Sequence, residues 1–153
     1  MIILDTNIVS ALFVSTHQDH RQLRTWCDAC LDQEFRICAP TLAEIEYGIA
    51  ILPAGARKEQ LIHEAHLFLS KTAQWILPFG ARDASEYAII TAQRRPISIF
   101  DAQIAAITRT AGATLATRNI KDFENCGITL VNPYQITFSA QADHGEPVDR
   151  NNQ

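Results

Sequence analysis

The sequence predicts an α/β fold, a three-layer α/β/α sandwich with a central, mostly parallel sheet. Short aliphatic runs typical of buried strands alternate along the chain with segments whose apolar residues recur at helical spacing. The chain has 153 residues, 47% hydrophobic and 20% charged, which is ordinary for one globular domain. Because parallel strands must be joined by long crossovers, usually helices, the alternation favours a parallel sheet covered on both faces.

The expected elements follow one another in a regular order. Five strands are predicted, at residues 2–4, 35–39, 75–78, 113–117 and 128–131. Predicted helices begin near residue 6 or 7, cover about 19–32, open at Thr41, cover 57–71 and 83–94, and surround Asp101 before a stop at Gly112. On the second helix one face is expected to collect Leu23, Trp26, Cys27, Cys30 and Leu31.

One domain is expected at residues 1–134, followed by a polar, flexible C-terminal tail at 135–153. The formal net charge is −4, so nucleic acid would have to be held by local basic residues or through bound metal rather than by a basic surface. The apolar start is too short for a signal peptide, and no apolar run approaches the ~20 residues that span a bilayer. With four cysteines read as reduced thiols, a cytoplasmic location without a membrane partner is expected.

Three acids occupy positions at which chemistry could take place. Asp5 ends the first predicted strand, and Glu44 and Asp101 are each predicted in the first turn of a helix. Ligands of open α/β sheets bind outside the carboxyl ends of the strands, so this fold can bring all three to one edge. Carboxylates that share one or two Mg²⁺ ions can activate water and neutralise charge on a phosphodiester. The spacing alone does not prove that the three acids meet.

Each acid also has a purely structural interpretation. Residues 41–44, Thr-Leu-Ala-Glu, and residues 98–101, Ser-Ile-Phe-Asp, fit the capping-box pattern, in which Thr41 and Ser98 would cap helices. Asp5 could cap the helix that begins near residue 6. From these local patterns alone, capping is favoured over catalysis for each acid.

The order of several motifs supplies a further observation. The segments concerned are residues 3–7, 41–45, 100–106 and 116–119, with further likeness at 48–52, 95–98 and 132–134. They stand in the order found in PIN-domain ribonucleases, and the chain resembles the VapC/FitB-type toxins of bacterial toxin–antitoxin pairs over residues 1–134. Each motif alone is weak, whereas the ordered set over this length is specific.

The resemblance implies a PIN-like fold and a metal-dependent endoribonuclease. Carried over, it makes Asp5, Glu44 and Asp101 the acids that hold Mg²⁺ or Mn²⁺. It places Thr6 and Asn7 as supports of Asp5. The implied reaction is hydrolysis of an RNA phosphodiester by water, leaving a 5′-phosphate and a 3′-hydroxyl.

The same resemblance implies partners. They are a cognate antitoxin whose tail enters or blocks the acidic pocket, a second copy of the chain in a homodimer, and operator DNA reached only through the antitoxin. A mildly acidic chain would not itself be expected to read DNA.

The fourth position of the site departs from the pattern. Many members carry an acid where this chain has Thr117-Arg118-Asn119, and Thr117 and Asn119 are expected to line the pocket. Asn119 offers only a neutral oxygen. Asp122 could supply the missing acid or cap a short turn. Asn119 is preferred as the fourth residue of the pocket, and Asp122 is expected to lie at its periphery. The basic residues expected near the RNA backbone are Arg94, Arg95, Arg118 and Lys121.

Two other motifs resemble functional sites only superficially. Cys27 and Cys30 mimic a redox Trp-Cys-x-x-Cys motif, but they lie inside an amphipathic helix and are expected to be packing thiols. His63 and His66 are three residues apart rather than the four of a zinc-protease helix, and are expected to be solvated.

Two rival functions remain open. A magnesium-dependent phosphatase could use Asp5 as its nucleophile, although that class would be expected to show Asp-x-Asp where this chain has Asp5-Thr6-Asn7. A PIN-like interaction module with weak or decayed catalysis is the other. The presence of three acids argues against a decayed site, whereas the neutral Asn119 is compatible with an interaction module.

Overall fold

The computed structural model describes residues 1–93 and 96–136. The predictions for Arg94 and Arg95, and for most of the tail at 135–153, therefore lie outside the described residues. Among those that are described, no helix is both long and apolar enough to cross a membrane.

A five-stranded sheet forms the centre, with the spatial order β3-β2-β1-β4-β5 and parallel pairing throughout. Its strands are β1 Ile2–Leu4, β2 Phe35–Cys38, β3 Ile76–Leu77, β4 Thr114–Ala116 and β5 Thr129–Val131. In the register of the central strand, Ile2 lies opposite both Phe35 and Thr114. All five predicted strands are thus confirmed, each within two residues of its expected ends.

Seven helices connect the strands of the described chain. They are α1 Thr6–Phe13, α2 His20–Ala29, α3 Ala39–Ala50, α4 Ala56–Thr72, α5 Ala81–Gln93, α6 Ile99–Thr110 and α7 Ile120–Phe123, with 3₁₀ turns at Ala73–Trp75 and Pro133–Gln135. Gly112 has a φ of +58°, which a glycine adopts without a steric cost, and it follows the end of α6 as predicted.

Both faces of the sheet are covered, because successive side chains of a strand point to opposite sides. Ile3 belongs to the core formed with α5, α6 and Phe123, whereas Ile2 and Leu4 belong to the core formed with α1 and α2. The three-layer α/β/α architecture predicted from the sequence is therefore confirmed.

The predicted start of α3 at Thr41 is wrong. The helix begins at Ala39 with Pro40 in its first turn, and Cys38 is the N-cap residue without a side-chain capping bond. Proline suits the first turn because its fixed φ is helical and its missing N–H would be unpaired there. Pro40 therefore lies in the first turn of the helix that it was expected to precede.

Leu31 also departs from expectation. It was predicted on the apolar face of α2, but the helix ends at Ala29 and 83% of Leu31 is exposed. Leu23 and Trp26, from the same predicted face, are fully buried.

The strand order locates a topological switch point. The chain moves from β1 to β2 on one side of the sheet and later returns to place β4 on the other side of β1. Ligand sites of open α/β sheets lie outside the carboxyl ends of the strands at such a point. Leu4 ends β1 and Ala116 ends β4, so Asp5 and Thr117 enter this crevice side by side.

Candidate active site

Asp5 is a buried carboxylate held by hydrogen bonds from three donors. Only 4% of the residue is exposed. Its Oδ1 accepts from the backbone N–H of Thr6 at 2.8 Å, which makes Asp5 the N-cap of α1 as the local pattern predicted. Its Oδ2 accepts from the Thr117 hydroxyl at 2.7 Å and from the Asn7 amide at 2.5 Å. Residues that follow β1 and a residue that follows β4 therefore fix the orientation of this carboxylate.

Glu44 is joined to Asp5 through Thr6. The Thr6 hydroxyl donates to Glu44 Oε2 at 2.5 Å, across 38 residues of sequence. Because α3 starts at Ala39, Glu44 lies in its second turn, and the helix has no acid in its first turn. The prediction that Thr41 and Glu44 form a capping box is therefore wrong. Thr41 is instead fully buried, and its hydroxyl has no hydrogen-bond partner within the described chain.

Asp101 occupies the first turn of α6, as predicted. Ser98 is the N-cap residue, and its hydroxyl accepts from the Asp101 backbone N–H at 3.0 Å. The Asp101 side chain is half-buried at a hollow of about 410 Å³ lined by Pro96, Ile97, Ser98, Asp101 and Asp122. The Ser98 cap thus brings Asp101 to the wall of an open space beside the sheet edge.

The pKa values show that the carboxylates are electrostatic neighbours. Burial raises the pKa of Asp5 to about 6, hydrogen bonds from Thr117 and Thr6 lower it, and the charges of Asp101 and Glu44 raise it further. Burial also raises the pKa of Asp101, as does the charge of Asp122, while the Ser98 hydrogen bond lowers it. The cluster is therefore a region of uncompensated negative charge, which a cation would relieve.

Thr117 organises the fourth segment of the site. This hydroxyl is fully buried, donates to Asp5, and accepts from the Asn7 amide at 3.2 Å and from the backbone N–H of Asn119 at 2.9 Å. Asn119 itself is exposed and precedes α7 without a side-chain capping bond. Thr117 thus contacts Asp5 directly, and Asn119 is joined to the site through its backbone.

Asp122 and Asn119 differ in their relation to Asp101. Asp122 lies on α7, shares the 410 Å³ hollow with Asp101 and raises its pKa. Asn119 is not part of the lining of that hollow. The position therefore favours Asp122 over Asn119 as the fourth residue beside Asp101, in contrast to the preference stated from the sequence.

The donor atoms suit a hard cation, although they do not form a closed cage. Within residues 1–93 and 96–136, no group of three His, Cys, Asp or Glu side chains is placed to hold a metal ion. The carboxylate oxygens of Asp5, Glu44, Asp101 and Asp122 are nevertheless the ligand type that Mg²⁺ prefers, and this ion usually keeps several waters between itself and the protein. An edge of separated carboxylates is compatible with such an ion.

Arg118 adds a basic side chain with defined contacts beside this edge. Its backbone N–H donates to Asn7 Oδ1 at 3.2 Å, and its Nη1 lies 3.5 Å from Asp19 Oδ2. Its guanidinium carbon lies 5.6 Å from the centre of the Tyr134 ring. Lys121, also expected near RNA, is exposed on α7. Asp19 was missed from the sequence because nothing local links it to a residue 99 positions away.

The cysteine pair and the histidine pair are packing residues and surface residues, respectively, as predicted. Burial raises the pKa of Cys27 to about 11, and Cys27 and Cys30 pack against the core on the α1 and α2 face of the sheet. A thiol with a raised pKa is a poor nucleophile. His63 and His66 are exposed on α4.

Comparisons with known proteins agree with the fold. The family model described as PIN domain matches residues 2–127. VapC ribonuclease Y4jK of Sinorhizobium fredii is 33% identical over 142 residues, covering 88% of this chain and 99% of that protein. Toxin FitB of Neisseria gonorrhoeae is 31% identical over 140 residues, with 88% and 99% covered.

Solved structures show the same relationship. FitAB bound to an IR36 DNA fragment matches with a TM-score of 0.76 and 28% identity, covering 92% of this chain and 100% of that chain. FitAcB from Neisseria gonorrhoeae matches with a TM-score of 0.73 and 30% identity, covering 89% and 100%. The resemblance inferred from the ordered motifs is confirmed: the chain belongs to the PIN-domain family, together with VapC ribonuclease Y4jK and toxin FitB.

Proposed function

We propose that this protein is a Mg²⁺- or Mn²⁺-dependent endoribonuclease that acts as the toxin of a toxin–antitoxin pair. The observation that carries the proposal is the linkage of three acids at the carboxyl edge: Thr6, next to Asp5, donates to Glu44, and the charges of Glu44 and Asp101 raise the pKa of Asp5. Its relatives include a protein named VapC ribonuclease and one named toxin FitB. RNA is the substrate class that the first of these names supports.

Asp5, Asp101 and Glu44 are the residues proposed to hold the ion, with Asp122 as a fourth acid. A bound divalent cation supplies activation of water and neutralisation of charge that grows on the phosphodiester. The protein fixes the ligands: Thr117 and Asn7 orient Asp5, and Thr6 holds Glu44. Hydrogen-bonded supports of this kind typically change metal affinity or activity 10–100-fold when removed.

A phosphatase that uses Asp5 as its nucleophile is less compatible with this geometry. Both carboxylate oxygens of Asp5 accept hydrogen bonds, and Oδ2 accepts two. Such a phosphatase would be expected to carry a second acid two residues after its nucleophile. The residue two positions on, Asn7, also donates to Asp5 instead of offering a second acid.

The proposed partners are a cognate antitoxin and a second copy of the chain, with operator DNA contacted through the antitoxin. The solved relatives include FitAB bound to a DNA fragment and VapBC2 from Rickettsia felis bound to a DNA fragment of its promoter. On this chain, a largely apolar groove of about 630 Å³ lies between α1, α2 and α4, and the half-exposed Leu67 and Trp75 line it. An antitoxin segment with an apolar face would fit this groove.

Growth and RNA integrity test the nuclease directly. Expression of wild type is expected to arrest growth and to cleave total RNA with Mn²⁺, and both effects are expected to disappear in Asp101→Asn. Asp101 is chosen because the Ser98 cap uses its backbone N–H, so the substitution spares that helix cap. Asp28→Asn is the matched control, since Asp28 is an exposed acid on α2 paired with Arg24.

The two rivals predict other results. An active Asp101→Asn protein, or a wild type that neither arrests growth nor cleaves RNA, contradicts the nuclease. Hydrolysis of an aryl phosphate without RNA cleavage would indicate a phosphatase. Growth arrest that survives in Asp101→Asn would indicate an interaction module.

A further inference from the structure

The Arg118 guanidinium is held between an acid and an aromatic ring at the rim of the acidic edge. It lies 3.5 Å from Asp19 Oδ2 in the segment before α2, and 5.6 Å from the centre of the Tyr134 ring in the last 3₁₀ turn. Three separate parts of the chain therefore meet around one cation. An arginine without a specific position would not need two such supports.

The backbone of Arg118 is tied to the proposed catalytic carboxylate through one residue. Asn7 Oδ1 accepts from the Arg118 N–H at 3.2 Å, and Asn7 Nδ2 donates to Asp5 Oδ2 at 2.5 Å. The side chain of Arg118 therefore leaves from a point fixed relative to Asp5, and its position beside the site does not depend on a loose loop.

The contacts of the Arg118 guanidinium in the described structure are with Asp19 and Tyr134. The hydrogen-bond donors of Asp5 are Thr6, Asn7 and Thr117, so the guanidinium is not among the groups that bind this carboxylate.

Donor groups of Arg118 remain available to a ligand. A guanidinium has five N–H donors, and Asp19 accepts one hydrogen bond at long range. The Arg118 side chain is 54% exposed, whereas that of Asp19 is only 20% exposed. A planar guanidinium supported on an aromatic face is already oriented, so less freedom is lost when it binds a phosphate.

We infer that Arg118 binds a backbone phosphate of the RNA. This phosphate flanks the one that is attacked at the carboxylates, and Asp19 and Tyr134 are the residues that position Arg118. This inference rests on the proposed ribonuclease function. In a chain of net charge −4, a single oriented cation can set the path of the strand past an otherwise repulsive edge.

Steady-state cleavage of a defined RNA separates this role from a purely structural one. Arg118→Ala is expected to raise KM about tenfold with kcat within about twofold of wild type, since uniform binding is lost. The dependence of binding on salt should fall by about one phosphate contact. Tyr134→Ala is expected to raise KM about threefold, as for loss of an exposed cation–π contact, whereas Tyr134→Phe keeps the ring and should match wild type.

Arg57→Ala is the control matched in charge. Arg57 is exposed at the start of α4, and the helix α3, about 18 Å long, separates it in sequence from the carboxyl end of β2. Its KM and salt dependence should equal those of wild type. Arg118→Lys keeps the charge without the planar fork, and an intermediate KM is expected.

Binding and cleavage are measured separately so that the two proposals fail separately. Anisotropy of a fluorescent RNA with Ca²⁺ reports binding without requiring turnover. If wild type does not cleave RNA, the proposed nuclease is contradicted, and the anisotropy of Arg118→Ala still tests the phosphate contact. If wild type cleaves RNA and Arg118→Ala keeps its KM and salt dependence, or loses only kcat, the inference about Arg118 is overturned.

Discussion

The two sides of the acidic edge are built differently. On the β1 side, Asp5 is 4% exposed and its two oxygens accept three hydrogen bonds. On the α6 side, Asp101 is half-buried beside an open hollow that it shares with the exposed Asp122. The first side has its geometry fixed by the fold before any ligand arrives, and the second leaves room for water, ion and substrate. A rigid ligand facing an accessible one would suit the proposed site, which would have to bind an ion and release a product.

The largest expected effect concerns the charge of the rigid side. Because the pKa of Asp5 is raised from 3.8 to about 6, the folded metal-free protein binds a proton more tightly than the unfolded chain. Its stability should therefore fall as pH rises from about 4 to 6, by up to about 3 kcal/mol at about 1.4 kcal/mol per pH unit. Mg²⁺ should restore stability above pH 6. Urea unfolding at pH 4.5 and 7.5, with EDTA or Mg²⁺, measures this free energy of unfolding. A metal-free protein that is more stable at pH 7.5 than at pH 4.5 would contradict the prediction.

The Thr117 hydroxyl tests whether the rigid side depends on its hydrogen bonds. Thr117→Val removes a donor to buried Asp5, and should cost about 1–3 kcal/mol and lower cleavage about 10–100-fold. Thr108→Val is the matched control, since Thr108 is equally buried but donates only to the Ile104 carbonyl of its own helix. Urea unfolding and cleavage rates should change little in the control. Equal losses in the two variants would mean that Thr117 has only a packing role.

A smaller effect distinguishes the two candidates for the fourth position. Asp122→Asn removes the charge that raises the pKa of Asp101, and should lower cleavage about tenfold by weakening metal binding. Asn119→Ala leaves the backbone contact of residue 119 with Thr117, and should lower cleavage less. Titration of each variant with Mn²⁺ measures the difference. The reverse order of effects would restore Asn119 to the pocket.

Local chemistry made much of this architecture predictable. The strand and helix periods predicted all five strands, and the Ser98 cap placed Asp101 in the first turn of α6. Asp5 as both cap and edge residue followed from its place after an aliphatic run. In each case the deciding interactions lie within a few residues of one another.

Features set by competing or distant contacts were not predictable. Pro40 could end β2 or begin α3, and the sequence around it gave no reason to prefer the second, so Thr41 was wrongly taken as a cap. The contact of Asp19 with Arg118 joins residues 99 positions apart, and that of Thr6 with Glu44 spans 38. Without the order of motifs shared with a family, no local pattern would have joined the three acids.

The carboxylate edge is proposed to bind a divalent cation and thereby to cleave RNA. Its most direct test is the single-turnover cleavage rate of a defined RNA by metal-stripped protein on addition of Mn²⁺, for wild type, Asp101→Asn and Asp28→Asn. We expect no cleavage before Mn²⁺ is added, restored cleavage in wild type and Asp28→Asn, and at least about a 100-fold lower rate in Asp101→Asn. Equal rates with EDTA and with Mn²⁺, or equal rates for wild type and Asp101→Asn, would contradict it.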